Sequence, residues 1–235
     1  FLRKSINNLK KKINIKKDVC GVMIETFQGW GALFYPKNYI KLLRKICREN
    51  DILICFDEMQ SGFGRTGKNF GFQHYDIIPD LICCGKGMGG GVALSGVIGK
   101  KKIMDLPETG NMSSTNSANP LACNAGLAVI EEILQKKLVE KSKFNGEYLH
   151  KNLKQISKQY KNLFTVYGKG LIAAMIFNNK INNINNKLRK LVELCIKDGL
   201  LMVYTGRESV KIGPPLTITK DAIKEGTDII NKNIR

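Results

Sequence analysis

Two polar side chains stand where two apolar runs of the sequence end. Asp57 follows the run 52–56, and Lys86 follows the run 81–84 after a single glycine. In open α/β sheets, ligands bind at the carboxyl ends of the strands, so strand ends are the natural places for chemistry. A carboxylate and an amine at two strand ends therefore form the first pair of candidate functional residues.

The chemistry of this pair depends on how the two groups act together. A buried lysine loses its proton readily and attacks carbonyl carbons. A carboxylate that faces a pyridine nitrogen keeps that nitrogen protonated, so that the ring accepts electrons. Lys86 and Asp57 are thus the minimal pair for binding and activating pyridoxal 5'-phosphate. The glycines around Lys86 would let the backbone pass close to a flat cofactor.

Each of these residues also has a plainer interpretation. An aspartate at a strand end commonly caps a helix or a turn, and a lysine between glycines commonly lies in a turn. A phosphate-binding loop is another alternative, because the segment 62–68 nearly spells its glycine-and-lysine motif. Asn69, however, stands where that loop needs a serine or threonine for its metal ion, and the acidic strand directly precedes the loop. A P-loop NTPase is therefore the weaker alternative.

Charge and cysteine usage exclude several other classes of function. The formal net charge is +18, but the lysines are spread along the chain with little interleaved aromatic character, so no nucleic-acid partner is predicted. The seven cysteines show no C-x-x-C spacing and only two histidines are present, which predicts no metal site and a reducing compartment. No apolar run is long enough to span a bilayer, so we predict a cytoplasmic location without a membrane partner.

The elements that must position the pair alternate along the chain. The pattern predicts a strand at 20–24, a helix at 37–49, and strands at 52–56, 81–84 and 94–98. A helix from Asn119 to about 143 follows. The order strand, helix, strand with buried composition favours a parallel α/β sheet. The basic and polar residues 1–17 are predicted to form a surface segment.

The remainder of the chain alternates again. It predicts helices at 148–160, 187–197 and after 219, and strands at 171–177, 201–204 and 210–212. We therefore divide the chain into a sheet domain, 1–140, and a smaller α+β domain, 141–235.

The stretch from Ile54 to Gly67 resembles the signature of class III aminotransferases, which use pyridoxal 5'-phosphate. The segments 79–87, 119–121 and 213–217 continue the resemblance, which runs from about Cys20 to the C-terminus. It implies the C-terminal part of a fold-type-I enzyme: part of the large cofactor-binding sheet domain, followed by the small α+β domain. It also implies a homodimer with an active site shared between subunits.

The resemblance implies a role for each matching residue. Asp57 would pair with the pyridinium nitrogen, and Gln60 would hydrogen-bond the ring's phenolic oxygen. Lys86 would form the Schiff base and transfer protons, while Thr115 would bind the phosphate of the partner subunit's cofactor. Arg65 would fix its loop. The implied reaction is transamination, in which an amine or amino acid passes its amino group to a 2-oxo acid.

Four more residues match segments that line the family's substrate site: Glu25, Gln28, Trp30 and Lys211. Members that use glutamate often carry a gating glutamate where this chain has Trp30, and an arginine where it has Lys211. Because lysine lacks the two-pronged geometry of arginine, we expect a substrate carboxylate to be held less rigidly. We also expect an amino donor whose bulkier or more apolar side rests on Trp30.

The segment before Glu25 lacks two features of the family: a Gly-Ser/Thr phosphate cup at a helix N-terminus, and an aromatic residue stacked on the ring. Family members are also considerably longer. A helix N-terminus is a strong anion site, so its loss predicts weak cofactor binding and little or no activity for the chain alone. We therefore expect the C-terminal portion of a longer enzyme. A non-catalytic aminotransferase-like module is the alternative.

Overall fold

Sixteen strands and α-helices follow one another in a computed structural model that describes residues 18–234. In chain order they are β1 (Gly21–Glu25), β2 (Phe27–Gln28), β3 (Leu33–Phe34), α1 (Lys37–Glu49), β4 (Leu53–Asp57), β5 (Leu81–Cys84), β6 (Gly96–Gly99), α2 (Lys101–Met104), α3 (Pro120–Gln135), α4 (Leu138–Gln159), β7 (Phe164–Lys169), β8 (Ile172–Phe177), α5 (Ile184–Lys197), β9 (Val203–Tyr204), β10 (Ser209–Ile212) and α6 (Lys220–Asn233). Short 3₁₀ turns occupy Gly71–Tyr75 and Lys86–Gly89. The predicted surface segment 1–17 lies outside the described residues.

The contacts of the described chain divide it into two units. The first contains residues 18–26, 35–63 and 70–132, and the second contains 27–34, 64–69 and 133–234. This division differs from the single boundary predicted at residue 140. Three segments of the first 140 residues belong to the second unit: 27–34, 64–69 and 133–140. For the first of them the reason is packing, because Phe27 and Ala32 share a buried cluster with Ile172 and Ala174.

The first unit is built on a four-stranded sheet with the order β1-β4-β5-β6. The strands β1, β4 and β5 are parallel, as the sequence predicted. The edge strand β6 is antiparallel to β5 and is a correction to the all-parallel expectation. The physical reason is the short glycine-rich connection from β5, since a parallel return requires a crossover of a dozen or more residues.

One face of this sheet is covered and the other is open. Along β4 the alternation buries Ile54 and Phe56 on one face, where α1 packs through Ile40, Leu43, Ile46 and Cys47. On the opposite face, Met23 is 60% exposed and Cys55 is half-buried, and Val97 on β6 is 49% exposed. Sheets with parallel strands are normally covered on both faces. The open face is thus the unusual feature of this unit.

The second unit is an antiparallel sheet of order β7-β8-β10-β9, with three helices. Its core joins α4, α5 and α6 to the sheet through the buried side chains Leu149, Leu153, Ile156, Phe164, Met175, Leu188, Cys195, Val210, Ile223 and Ile230. This confirms the predicted α+β character. β7 was not predicted, and the strand predicted at 201–204 is reduced to Val203–Tyr204.

The helices that follow residue 119 also differ from the predicted bounds. Asn119 caps α3 as predicted, because its Oδ1 accepts hydrogen bonds from the backbone N–H groups of Leu121 (2.9 Å) and Ala122 (3.4 Å). The predicted helix to 143 is, however, interrupted after Gln135, where Lys137 has a left-handed φ of 50°. No glycine or proline marks this break, so the helical periodicity concealed it.

Among residues 18–234, no helix is long and apolar enough to cross a bilayer. In the same part of the chain, no group of three or more His, Cys, Asp or Glu side chains could hold a metal ion.

Asp80 links three segments at the amino end of β5. Its carboxylate accepts hydrogen bonds from Arg44 (2.6 and 3.2 Å), Lys100 (2.6 Å) and the backbone N–H of Ile54 (3.0 Å). Burial opposes the ionisation of Asp80, but these bonds outweigh it and hold the pKa of the carboxyl well below its usual range. Asp80 therefore ties β4, β5 and α1 together as an anion.

We expect Asp80→Asn to lower the free energy of unfolding by about 2 kcal/mol at pH 7, because charged hydrogen bonds to a nearly buried group are lost. The folded-state pKa is depressed, so the stabilisation is fully present above the ordinary pKa of 3.8 and is lost as the pH falls below it. Urea unfolding of both proteins should give a difference in free energy that shrinks steadily as the pH falls from about 4 toward 2. A constant difference over this range would contradict the assignment.

Candidate active site

The ends of β4 and β5 bring the predicted pair to one edge of the first sheet. Asp57 is the last residue of β4 and lies opposite Cys83 of β5 in the register. Lys86 follows β5 after Gly85 and begins the 3₁₀ turn. Both residues therefore stand at the carboxyl edge of parallel strands, where the sequence placed them and where ligands bind in such sheets.

Lys86 presents an accessible amine. It is exposed, its φ is +49°, and its Nζ makes no hydrogen bond or ion pair with any residue between 18 and 234. It lines a cavity of about 640 Å³ together with the loop 91–95 and the segment 114–119. Left-handed backbone is uncommon for a residue with a side chain and is retained where surrounding structure imposes it. The sequence predicted a buried lysine, whereas Lys86 is exposed, so its amine is accessible but burial does not activate it.

Gly85 leaves the space in which this turn begins. A Cβ at this position would lie 2.5 Å from Sδ of Met59, a residue of the loop that follows Asp57. A side chain here would therefore displace Met59. Two glycines later in the same run, Gly90 and Gly91, have φ values of 61° and 110°, which residues with side chains rarely adopt. The glycines serve the path of the backbone around Lys86.

Asp57 is half-buried and oriented by its own loop. Its Oδ1 accepts a hydrogen bond of 2.9 Å from the backbone N–H of Met59. No second partner contacts its other oxygen within the described chain. Gln60 is half-buried, and its amide likewise has no hydrogen-bond partner among residues 18–234. A held carboxylate with a free oxygen and an uncommitted amide are groups that can serve a ligand.

The residue between them was missed by the sequence analysis. Glu58 is 0% exposed and accepts four hydrogen bonds of 2.6 to 2.7 Å, from two hydroxyls and two backbone N–H groups. The available signal was the alternation of β4, which puts the second carboxylate of the Asp57–Glu58 pair on the face that buries Phe56. Adjacent carboxylates at a strand end therefore have different surroundings.

Two thiols lie on the open face below Asp57. The sulfur atoms of Cys55 and Cys83 are 3.6 Å apart. Burial, together with the contact to Cys83, raises the pKa of Cys55 to about 12. This thiol is therefore protonated at neutral pH and is a poor nucleophile.

Thr115 lies in an exposed loop between α2 and α3. It is exposed and has no hydrogen bond within residues 18–234. Its neighbours Ser114 and Asn116 line the cavity that contains Lys86, whereas Thr115 itself does not. A role toward a partner subunit's cofactor is not tested by one chain, so it stays a prediction.

The four predicted substrate-lining residues divide between the two units. Glu25 ends β1 opposite Asp57 in the register and is exposed. Gln28, Trp30 and Lys211 belong to the second unit. Gln28 is exposed at the end of β2.

Trp30 and Lys211 are engaged within the second unit. The guanidinium of Arg207 lies 4.9 Å from the centroid of the Trp30 ring, and Ser209 Oγ donates a hydrogen bond of 3.1 Å to the Trp30 carbonyl. Lys211 Nζ donates to the carbonyl of Gly29 (3.1 Å). Arg207 was not predicted, because nothing in its sequence surroundings indicates a partner 177 positions away.

Arg65 has the structural role that the sequence analysis expected. Its Nη1 donates to the carbonyls of Leu171 (3.0 Å) and Pro214, within the second unit. Burial lowers its pKa from the ordinary value. These bonds attach the segment 64–69 to β8 and to the segment before α6.

Comparison with known proteins matches the sequence of this chain to one family. The family model described as aminotransferase class-III matches residues 1–234. The chain is similar to the acetylornithine aminotransferase of Caldanaerobacter subterraneus subsp. tengcongensis, with 34% identity over 219 residues, 92% of this chain and 54% of that protein. It is also similar to the leucine/methionine racemase of Thermococcus litoralis, with 36% identity over 221 residues, 92% of this chain and 50% of that protein.

The fold is shared with solved aminotransferases. A Bacillus anthracis aminotransferase superposes with a TM-score of 0.90 at 25% identity, over 99% of this chain and 55% of that chain. The chain thus spans about half the length of the relatives it matches. Its fold is that of the C-terminal portion of a fold-type-I enzyme.

Pyridoxal phosphate is the general cofactor of this family, and the residues at the sheet edge suit it. A lysine amine without a described partner and a carboxylate with an open oxygen lie at this edge, although Asp57 and Gln60 do not line the cavity that contains Lys86. The family match covers the predicted motifs and nearly the whole chain. The chain belongs to the class III aminotransferase family.

Proposed function

We propose that this chain carries the lysine of a pyridoxal-phosphate-dependent transaminase that moves an amino group from an amine or amino acid to a 2-oxo acid. The observation that supports it best is the free Lys86 amine in its cavity, at the sheet edge that Asp57 shares. When bound, the cofactor supplies an electron sink for the substrate's α-carbon.

The roles of the chain's own residues rest on their chemistry and on the family resemblance. Lys86 would hold the cofactor's aldehyde carbon covalently, with loss of water, until the donor's amine displaces it; the released Lys86 amine would then move a proton from the substrate's α-carbon. Asp57 would keep the pyridine nitrogen protonated through the carboxylate oxygen that Met59 leaves free. Gln60 would donate its amide hydrogen to the ring's phenolic oxygen.

We propose that the working protein is longer and that its further part covers the open face of the first sheet. The exposure of Met23 and Val97, on a face that sheets of this kind normally bury, supports this. The same part would supply the phosphate cup and the stacking aromatic residue. The chain on its own is then expected to bind cofactor weakly, so the complete enzyme is the protein to test.

Lys86→Ala should abolish the visible absorbance band that lysine-bound pyridoxal phosphate gives to the complete enzyme. The change should alter stability by less than about 0.5 kcal/mol, because this exposed side chain has no partner in the described chain. Absorbance scans and thermal melts measure both effects. Lys102→Ala, at an exposed lysine of α2, is the matched control and should keep the band. A band that persists in Lys86→Ala would sink the proposal, and so would its absence from the unaltered enzyme.

We further propose that the amino donor is bulky or apolar on the side that meets Trp30. The Trp30 ring, which Arg207 covers in part, supports a contact with an apolar part of the donor. Lys211 already donates a hydrogen bond to the Gly29 carbonyl, which supports a weaker hold on a substrate carboxylate. Glu25 and Gln28 are proposed to line the same substrate site. This rests on the family resemblance, since their side chains belong to different units.

In a donor panel with 2-oxoglutarate as acceptor, Trp30→Glu should lower kcat/KM for apolar donors about tenfold, equivalent to ~1.4 kcal/mol of transition-state stabilisation. The panel should include ornithine and acetylornithine, and Trp30→Phe is the control that keeps an aromatic ring. Formation of the keto product is the measured quantity. Unchanged donor preference would contradict the role of Trp30. Inversion of the donor's configuration without a keto product would contradict amino transfer.

We propose a homodimer in which Thr115 binds the phosphate at the partner subunit's site. Exposed apolar side chains of the first unit support a protein interface there: Leu106, Met112, Leu121 and Leu127 are 75%, 78%, 75% and 54% exposed. Patches of this kind mark interaction sites. They lie in and next to the loop that carries Thr115.

Leu127→Glu should shift the complete enzyme toward monomer, because a charge would be buried without a partner in the interface. Sedimentation velocity at micromolar concentrations measures the dimer fraction. The association constant derived from it should fall at least tenfold. Glu131→Gln, at an exposed position of the same helix, is the control and should leave assembly unchanged. A Leu127→Glu protein that stays fully dimeric would place the interface elsewhere.

A reducing, cytoplasmic location is proposed on the basis of the seven cysteines, all of which are free thiols. Cell fractionation with detection of the enzyme would test it.

A further inference from the structure

Glu58 is a buried carboxylate whose bonds join three separate segments. Oε1 accepts from the hydroxyl of Thr26 (2.6 Å) and from the backbone N–H of Phe72 (2.7 Å). Oε2 accepts from the hydroxyl of Ser61 (2.6 Å) and from the backbone N–H of Gly71 (2.7 Å). The end of β1, the loop after β4 and the 3₁₀ turn 71–75 therefore converge on one side chain.

The packing around this carboxylate leaves little freedom. A Cβ on Gly71 would lie 2.6 Å from Cγ2 of Thr26 and 2.8 Å from Cβ of Ser61, so only glycine brings this N–H to the carboxylate. Below it, the hydroxyl of Tyr75 donates to the carbonyl of Thr26 (2.6 Å) and accepts from the backbone N–H of Tyr35 (3.0 Å). The four bonds to the Glu58 carboxylate, 2.6 to 2.7 Å long, are charge-assisted and therefore short and strong.

The backbone of Glu58 also connects the two strand ends that carry the site. Its N–H donates to the carbonyl of Cys83 (2.9 Å), three residues before Lys86. Its carbonyl accepts from the N–H of Gly62 (2.9 Å), which closes the loop that contains Met59 and Gln60. Asp57 precedes Glu58 directly, and Gln60 follows two residues later. Any rotation of the backbone at Glu58 would therefore turn both residues.

We propose that Glu58 is a positioning residue of the cofactor site. Its side chain makes no direct contact with the cofactor. Its four accepted bonds hold the backbone from Asp57 to Gln60 so that the carboxylate and the amide face the pyridine ring. This inference rests on the proposed function, because it assigns Asp57 and Gln60 to the cofactor.

A glutamine at position 58 keeps the size of the glutamate side chain but can accept fewer hydrogen bonds. The hydroxyls of Thr26 and Ser61 can rotate, but the N–H groups of Gly71 and Phe72 can only donate. A carboxamide has one oxygen, so it can accept from one of these two N–H groups and must present its own N–H₂ to the other. Glu58→Gln therefore forces the loop to shift while keeping the size of the side chain.

The test compares Glu58→Gln with Asp80→Asn in the complete enzyme. Both changes remove the charge of a buried carboxylate in the first unit, but Asp80 lies at the amino end of the strands, away from Asp57. Titration of apo-enzyme with pyridoxal phosphate, followed by absorbance and fluorescence, gives the dissociation constant and the band position. Thermal melts of the apo-enzymes give stability without the cofactor.

We expect Glu58→Gln to raise the dissociation constant of pyridoxal phosphate at least tenfold and to shift the visible band. Asp80→Asn should lower the melting temperature about as much as Glu58→Gln does. It should leave the dissociation constant within twofold of that of the unaltered enzyme, and the visible band where it was. An unchanged dissociation constant and band in Glu58→Gln would overturn the proposal and leave Glu58 with a purely structural role.

Thr26→Val provides a milder variant if Glu58→Gln fails to fold. It keeps the size of the side chain and removes one of the four donors, so the dissociation constant should rise about threefold. No change in Thr26→Val would then overturn the proposal. Failure of the proposed function itself gives a different result: the unaltered enzyme would show no visible band with pyridoxal phosphate, and Lys86→Ala would change nothing.

Discussion

The register of three parallel strands is the constraint on which the candidate site depends. Asp57 lies opposite Glu25 on one side and opposite Cys83 on the other, so the ends of β1, β4 and β5 are level. Because ladder hydrogen bonds fix this register, a slip of one residue would turn Asp57 into the face that buries Phe56. The position of Lys86 is set by the same ladder, two residues beyond the end of β5. The 3₁₀ turn that begins at Lys86 leaves its amine exposed.

A buried carboxylate lies near each end of the parallel strands, and the two carboxylates, Asp80 and Glu58, have different kinds of partners. At the amino end, Asp80 is neutralised by Arg44 and Lys100, and the resulting ion pairs tie segments together. At the carboxyl end, Glu58 is held by neutral donors alone. A cation at that position would compete with the amine of Lys86 for an anionic ligand and would screen Asp57. Neutral donors hold the loop without adding a positive charge beside Asp57.

The sequence predicts the parts of the fold that are governed by local pattern. The apolar runs that end at Asp57 and Cys84 and the spacing of Ile40, Leu43 and Ile46 suffice for β4, β5 and α1, and the cap at Asn119 is visible in its residue type. The antiparallel direction of β6 could have been predicted from the short connection that joins it to β5. The break at Lys137 could not, since neither glycine nor proline marks it. Glu58 illustrates the same limit within the site. Its partners Thr26 and Gly71 are 32 and 13 residues away, and only folding shows that they share one carboxylate.

The open face of the first sheet has a consequence for handling the protein. Within the described chain, β1 and β6 each pair with one neighbouring strand only, and the face between them carries apolar side chains. Bare strand edges recruit other strands by backbone hydrogen bonding, and an apolar face adds to that attraction. A copy of this portion produced without its covering would meet other copies in the same condition. We therefore expect this portion, made alone, to self-associate through the open face.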